Sequence, residues 1–241
     1  MSQKQRVDQQ PAFVLHTYPW RETSLIVEAF SRDYGRVALV AKGARRPMSA
    51  MRGVIMAFQP LLVDWSGGGD VKTLVRAEWQ GGQPLLGGRG LMCGYYLNEL
   101  LVRLTAREDP HPALFEAYAD ALARLGRAES AAAPILRRFE LALLRELGYG
   151  LALDTEAGSD RAVEPGGQYV YIIEKGPVPL AGEPVDVPAV SGQVLLDMAQ
   201  DDFSRTETLI QSKALLRMLI NHYLGGQPLQ SRRVLKELQE L

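Results

Sequence analysis

The hydrophobic period of this chain changes once, at the glycine-rich tract spanning residues 81–90. Before the tract, apolar residues tend to recur at every second position, as in Ser24–Ser31. After it, they recur every three or four positions, as at Leu97, Leu100, Leu101 and Leu104. A period of two is typical of a half-buried strand, and a period of about 3.6 is typical of a helix. The change predicts a strand-rich domain over residues 1–80 and a mainly helical domain over residues 81–241.

Five short strands are predicted before the tract, and no helical pattern interrupts them. This strand count and size favour a small closed barrel, and the five-stranded oligonucleotide-binding (OB) fold has both. The strand after residue 53 contains Pro60, which indicates a bulge or an edge position. Tyr18 and Trp20 are predicted to lie in the first loop. The predicted strands are Ala12–Thr17, Ser24–Ser31, Arg36–Ala41, Val54–Trp65 and Val71–Ala77.

After the tract, apolar stripes predict a helical domain, interrupted at about residues 149–188 by an irregular insertion rich in Gly and Pro. Within the insertion only Tyr169–Ile173 has an extended pattern, so we expect a hairpin there. The predicted fold class is therefore α+β, with an amino-terminal OB-fold barrel followed by a mainly α-helical domain.

The strand predicted at Arg36–Ala41 leads into a loop that concentrates positive charge. Between Arg36 and Arg52 the chain has five cations and no acid, although its net charge is only −1. Residues 1–80 carry eleven Lys and Arg against seven Asp and Glu. A cationic loop beside a barrel can bind a polyanion without reading its sequence, whereas a solvated surface loop is the simpler explanation. The predicted nucleic-acid-binding side chains are Arg36, Lys42, Arg45 and Arg46, with Arg21, Arg32 and Arg52 nearby and Tyr18 and Trp20 as stacking platforms.

We find no motif that predicts catalysis. The three histidines are far apart, and neither a G-x-S-x-G nor an H-E-x-x-H motif occurs. The single cysteine, Cys93, excludes an intramolecular disulfide and a cysteine-cluster metal site. The sequence predicts no cofactor, no small-molecule substrate and no membrane span, and a cytoplasmic location follows by default.

Several short motifs occur in order along nearly the whole chain. The amino-terminal ones are Val14-Leu15-His16, Arg21-Glu22-Thr23-Ser24, Tyr34-Gly35-Arg36 and Val40-Ala41-Lys42-Gly43-Ala44-Arg45. The later ones are Tyr96-Leu97-Asn98-Glu99-Leu100-Leu101, Arg137-Arg138-Phe139-Glu140-Leu141-Ala142-Leu143-Leu144, Leu147-Gly148-Tyr149, Tyr223-Leu224-Gly225-Gly226 and Leu229-Gln230-Ser231-Arg232. Together these motifs resemble the signature of the RecO family, the bacterial recombination mediators.

The resemblance implies a non-catalytic protein that binds single- and double-stranded DNA and anneals complementary strands. It also implies help in loading RecA onto strands coated by single-stranded-DNA-binding protein (SSB), with RecR as a partner. Many relatives carry a four-cysteine zinc site in the insertion. This chain has Thr155 and no cysteine there, so zinc binding is not carried over.

The SSB tail is acidic and ends in apolar residues, so its receptor should join an arginine to an apolar groove. The predicted receptor is Arg137 and Arg138 beside Leu136 and Phe139, and a solvated helix face is the alternative. Two other functions remain open. An RNA-binding OB module shares the same electrostatics, whereas a nucleic-acid-processing enzyme needs a carboxylate metal cluster that we do not find.

Overall fold

Strand β1, Arg6–Trp20, is long enough to pair with two neighbours. Its first half pairs with β4, Pro60–Ser66, and its second half with β2, Ser24–Ser31; both pairings are antiparallel. The register shifts between Val7 and Gln10 and between Val14 and His16. Such bulges bend and twist a strand, so β1 can belong to both sides of a sheet that closes on itself. The computed structural model describes residues 6–127, 132–180 and 188–239.

Two further strands complete the barrel: β3, Gly35–Ala41, and β5, Val71–Trp79. The barrel is closed in the order β1-β2-β3-β5-β4, and β3 pairs with β5 in parallel. Five strands in this Greek-key arrangement form an OB fold. The predicted fold class is therefore confirmed.

The strand boundaries differ from the prediction chiefly in the first and fourth strands. The first strand begins at Arg6 and not at Ala12, and it continues past Thr17, so Tyr18 and Trp20 lie in β1 and not in a loop. The strand predicted from Val54 begins only at Pro60. The chain before it is occupied by successive hydrogen-bonded turns, with Arg52 N donating to Ser49 O at 3.1 Å and Ile55 N to Met51 O at 3.0 Å. These turns satisfy the backbone locally, so the apolar pattern there does not become a strand.

The interior of the barrel is filled by side chains. Val14, Val27, Leu39, Leu61 and Trp65 are all buried in one cluster. The cavity found among the residues lining the interior measures about 10 Å³, which is about the room needed by one water. A ligand of this barrel therefore binds to its outer surface.

Backbone packing divides the chain into two compact units, Met1–Ser130 with Leu229–Leu241, and Ala131–Pro228. The described residues of the first unit form the barrel and three helices. An aromatic cluster joins the barrel to the second helix, with the ring centroids of Phe13 and Phe115 5.3 Å apart and those of Phe30 and Phe115 5.7 Å apart. The helices are α1, Gly88–Leu104; α2, Pro112–Leu125; and the last helix of the chain, Gln230–Gln239.

A buried asparagine exploits the second bulge of β1. Leu15 lies at that bulge, and its carbonyl accepts a hydrogen bond of 2.8 Å from Asn98 Nδ2 on α1. The Tyr118 hydroxyl on α2 donates to Asn98 Oδ1. Burial raises the pKa of the Tyr118 phenol, so it remains a neutral donor. One side chain thus ties both helices to the barrel.

The second unit combines helices with a small sheet. Its helices are α3, Ala132–Glu146; α4, Gly192–Ala199; and α5, Thr206–Tyr223; the last helix, Gln230–Gln239, is accordingly α6. Strands β6, Gln168–Ile172, and β7, Gly176–Pro179, form the hairpin expected in the insertion, and β8, Ala189–Ser191, adds an edge strand that the pattern did not predict.

Hydrogen bonds hold the segment of the insertion around Thr155. The Tyr169 side chain is buried. Its hydroxyl accepts a hydrogen bond from Glu164 N at 2.9 Å and donates one to Glu156 Oε1 at 3.3 Å. Thr155 Oγ1 lies 3.1 Å from Asp154 Oδ1. These hard oxygen donors do not fit a cysteine-type zinc site, and within residues 6–127, 132–180 and 188–239 no cluster of three or more metal-ligating side chains occurs.

Replacing Asn98 with leucine should destabilise the protein strongly. The substitution removes the partner of the Leu15 carbonyl and the acceptor of the Tyr118 hydroxyl. Losing both of these buried hydrogen bonds costs about 2–4 kcal/mol in the free energy of unfolding, measured by urea denaturation. Tyr118→Phe removes a single hydroxyl and should cost about 1 kcal/mol. An Asn98→Leu protein as stable as Tyr118→Phe contradicts the linking role.

Candidate nucleic-acid interface

The β1–β2 turn and the end of β3 meet at one end of the barrel. Trp20 pairs with Ser24 across the turn, and Leu25 pairs with Ala41. Arg45 N donates to Thr23 O at 2.9 Å, which fastens the chain after β3 to the turn. We call this part of the surface, residues 20–24 and 41–46, the basic end. It carries the predicted cations Arg21, Lys42, Arg45 and Arg46, all of them exposed.

The cations of the basic end do not form ion pairs with carboxylates of the described residues. Within the described residues, Arg21, Lys42 and Arg46 take part in no ion pair, and the Arg45 guanidinium makes only a long contact of 3.5 Å with Arg21 O. Arg21 has φ +52°, a conformation that costs a residue with a Cβ about 1 kcal/mol or more. Strain of this kind is concentrated at functional sites.

Aromatic rings adjoin these cations. The Trp20 side chain is 45% exposed and Tyr18 is 44% exposed. The Arg21 guanidinium carbon lies 5.9 Å from the centroid of the Trp20 ring, within the range of a cation–π contact. His16 packs edge-on against Tyr18 at 4.4 Å. Both predicted stacking platforms are therefore at the surface.

A cleft of about 740 Å³ opens at the basic end. This volume is within the range of small-molecule and cofactor sites, roughly 300–1,000 Å³. Trp20, Arg21, Lys42 and Arg46 line the cleft together with residues that were not predicted to bind nucleic acid, among them Glu22 and Thr73. Glu22 follows Arg21 in the turn, and this adjacency could have identified it. Thr73 reaches the cleft through its pairing with Val40 in the parallel ladder, and no local signal predicts that pairing.

Arg32 and Arg36 do not belong to the basic end. They lie beside the β2–β3 turn, where Ser31 pairs with Gly35. The eight residues of β2 separate the two ends of the barrel, which corresponds to roughly 20 Å. Arg32 there forms an ion pair of 3.0 Å with Asp33. The prediction that these residues share one surface with Lys42 therefore needs correction.

The Arg36 side chain binds other groups of the protein. Its side chain is 14% exposed, and its Nη1 lies 3.0 Å from Glu28 Oε2. The same guanidinium donates twice to the Thr105 carbonyl, at 3.0 and 3.3 Å. Glu28 also pairs with Arg107, and its carboxylate is 4% exposed. A buried carboxylate needs such compensation, so Arg36 is not available to a polyanion.

Arg52 belongs to the same loop but lies outside the basic end as defined. Its side chain is exposed, and neighbouring Met51 and Val54 pack against the barrel core.

The four residues predicted to receive an acidic peptide lie on α3 and differ in accessibility. Arg137 is buried and pairs with Glu140 at 2.6 Å, one turn along the helix. Arg138 is 34% exposed, pairs with Asp201 at 3.0 Å and lies 5.7 Å from the Phe203 ring centroid. Leu136 is half-buried, and Phe139 is fully buried. Of the two arginines, Arg138 is therefore the accessible one.

Comparison with known proteins identifies the family. The chain matches the family described as "Recombination protein O N terminal" over residues 3–82 and the one described as "Recombination protein O C terminal" over residues 88–233. The chain belongs to the RecO family of DNA repair proteins.

Individual relatives agree over their full lengths. The DNA repair protein RecO of Aromatoleum aromaticum is 83% identical over 241 residues, and the alignment covers 100% of both chains. The proteins of the same name from an Azoarcus species and from Dechloromonas aromatica are 70% and 54% identical, again over 100% of both chains. Within the described residues, no helix combines the length and the apolar character that a bilayer span requires.

Arg36→Ala should lower stability and spare DNA binding. The change leaves the buried Glu28 carboxylate with one partner in place of two, at a cost of about 3 kcal/mol in the free energy of unfolding. The matched control is Arg32→Ala at the same end of the barrel, where loss of an exposed ion pair should cost less than about 1 kcal/mol. Denaturant unfolding measures both. A selective loss of single-strand affinity in a stable, folded Arg36→Ala protein contradicts this assignment.

Proposed function

We propose that this chain is a non-catalytic recombination mediator, which binds DNA strands at the basic end and anneals complementary strands. The observation that carries the proposal is the set of cations without carboxylate partners, Arg21, Lys42 and Arg46, around a cleft beside an exposed tryptophan. Cationic grooves with aromatic platforms are how OB folds bind single strands. Membership of the RecO family supports the same role.

Annealing follows from the electrostatics of such a surface. Two complementary strands repel each other because every nucleotide carries a negative charge, and repulsion between exposed charges falls when counter-charges stand nearby. Lys42, Arg45 and Arg46 supply these charges on a short loop that is fastened to the barrel by the Arg45–Thr23 hydrogen bond. Contacts with phosphates carry no sequence information, so strands of any sequence can be brought together.

We further propose a division of labour along the chain. Residues 1–80 act as the nucleic-acid-binding domain, and residues 81–241, with the insertion at about 149–188, recruit proteins. RecR is the proposed partner, and the product is RecA loaded on strands that SSB had coated. A dedicated protein-recruiting part fits the acidic balance of residues 81–241, sixteen Lys and Arg against twenty-one Asp and Glu, which disfavours a second phosphate-binding surface.

The acidic, apolar-ended tail of SSB is proposed to bind on α3 at Arg138, beside Leu136. The Arg138 guanidinium is partly exposed and already pairs with a carboxylate, Asp201, so a tail carboxylate would replace Asp201. Arg137 is proposed to act indirectly, because its pair with Glu140 stabilises the helix on which Arg138 is presented.

The triple substitution Lys42→Ala/Arg45→Ala/Arg46→Ala should weaken single-strand binding and flatten its salt dependence. Removing one phosphate-binding cation should lower the slope of log K against log salt by about 0.7. Fluorescence anisotropy with a labelled oligonucleotide, titrated at several salt concentrations, measures the slope. The control carries the same charge change in exposed residues outside the basic end, Arg32→Ala/Arg89→Ala/Arg127→Ala.

An unchanged slope in the folded triple variant, or an equal loss in the control, refutes the basic end as the DNA site. Competition with RNA of the same sequence separates the remaining alternative. Preference for the RNA strand would indicate an RNA-binding module.

Arg138→Ala should weaken binding of a peptide with the sequence of the SSB tail by about tenfold, the range for one charge-assisted hydrogen bond. DNA affinity should not change, because α3 does not contribute to the basic end. Isothermal titration with the peptide and anisotropy with DNA measure the two affinities. Full peptide affinity in Arg138→Ala, or equal losses in both assays, would exclude this receptor.

A further inference from the structure

Glu22 is an acid in a place where a polyanion is expected. Its side chain is exposed and lines the same cleft as Arg21, Lys42 and Arg46. None of these cations, nor any other described residue, forms an ion pair with it. Among the cleft-lining residues of the described chain it is the one carboxylate. A carboxylate that repels phosphates is an obstacle in a surface that only screens charge.

The cleft also contains what a base requires. Trp20 offers a half-exposed indole for stacking, which is tolerant of the base because every base has a π face. An unpaired base that stacks on Trp20 keeps its hydrogen-bonding edge unpaired, and Glu22 lines the same cleft as the ring. An ionised carboxylate can only accept hydrogen bonds, so Glu22 favours a base with a donating amine over a base with a carbonyl oxygen at the same position.

We propose that the cleft receives one unpaired nucleotide, whose base stacks on Trp20 while Glu22 accepts a hydrogen bond from an exocyclic amine. This proposal rests on the DNA-binding function of the basic end. Cytosine presents an N4 amine, which Glu and Asp accept from, whereas thymine presents a carbonyl oxygen at the same position. The carboxylate attracts the first and repels the second.

The consequence is a modest base preference superimposed on sequence-blind phosphate binding. Cytosine and thymine are both pyrimidines of nearly equal size, so stacking on Trp20 contributes similarly to both. The difference should therefore come from Glu22. Because Glu22 is exposed, its charge-assisted hydrogen bond should give a preference of about three- to tenfold, below the roughly ten- to hundredfold range for hydrogen bonds to charged groups in general. Duplex DNA hides these edges from the cleft in base pairs, so the preference is confined to single strands.

The test compares oligo(dC) and oligo(dT) of about eight nucleotides, within the length that one OB fold contacts. Mildly alkaline pH keeps cytosine unprotonated and unstructured. The expected result is tighter binding of oligo(dC) by the wild-type protein. Glu22→Gln retains an acceptor without the charge and should reduce the preference, and Glu22→Ala should abolish it. Both substitutions should strengthen binding of oligo(dT), because repulsion of the phosphates and of the thymine carbonyl is relieved.

Asp70→Asn is the matched control, since Asp70 is an exposed acid of the same barrel in the β4–β5 hairpin and does not line the cleft. It should leave the ratio of the two affinities unchanged. Trp20→Leu should lower the affinities for both homopolymers by the same factor. Equal affinities for oligo(dC) and oligo(dT) in the wild type overturn the proposal. The proposal is also overturned if Glu22→Gln and Asp70→Asn each raise the affinities for both homopolymers by the same factor. In either case the proposed function still holds if the salt dependence of single-strand affinity depends on Lys42, Arg45 and Arg46. If the salt dependence is the same without these three cations, both the base preference and the proposed function are refuted.

Discussion

The barrel of this protein depends on the double pairing of β1. This strand of 15 residues pairs with β4 along its first half and with β2 along its second half. Two bulges give it the bend that closure of the barrel requires. Closure removes the open edges of the sheet and gathers the strand ends at two poles. The turn after β1 and the loop after β3 meet at one pole for this reason, and a cleft forms between residues far apart in sequence. The same bulge frees the Leu15 carbonyl for Asn98, so a single irregularity both shapes the barrel and anchors its helices.

Pairing with a buried carboxylate distinguishes two kinds of cationic side chain in this protein. Glu28 holds Arg36 and Arg107, and Glu140 holds Arg137. These guanidiniums are tied to internal partners, because an isolated buried carboxylate is costly and its partner cannot leave. Arg21, Lys42 and Arg46 have no such partner among the described residues, so their charge remains available to a ligand. Positive charge alone does not define a polyanion site; the cations must also be free of ion pairs with carboxylates.

Much of the fold is readable from periodicity and motif resemblance. Five strands, the glycine-rich tract, the helical stripes and the RecO resemblance all pointed to the barrel and helices that are observed. The pairing of Arg36 with Glu28 could also have been predicted from the sequence. The short β2–β3 turn fixes a register that places Glu28 and Arg36 diagonally on one face of the sheet. The Arg137–Glu140 pair has the i,i+3 spacing of helical neighbours. Other features had no local signal. Arg107 reaches Glu28 from 79 residues away, and Thr73 enters the cleft through a parallel pairing that only the closed barrel creates.

We expect single strands to bind at one pole of the barrel, the basic end, and not at the other. Backbone amide chemical shifts, recorded while an unlabelled oligonucleotide is added to isotopically labelled protein, report directly which pole the strand contacts. The largest changes are expected at residues 20–24 and 41–46, with little change at residues 32–36 and 105–109. Changes concentrated around the β2–β3 turn, or spread evenly over both poles, would contradict this expectation.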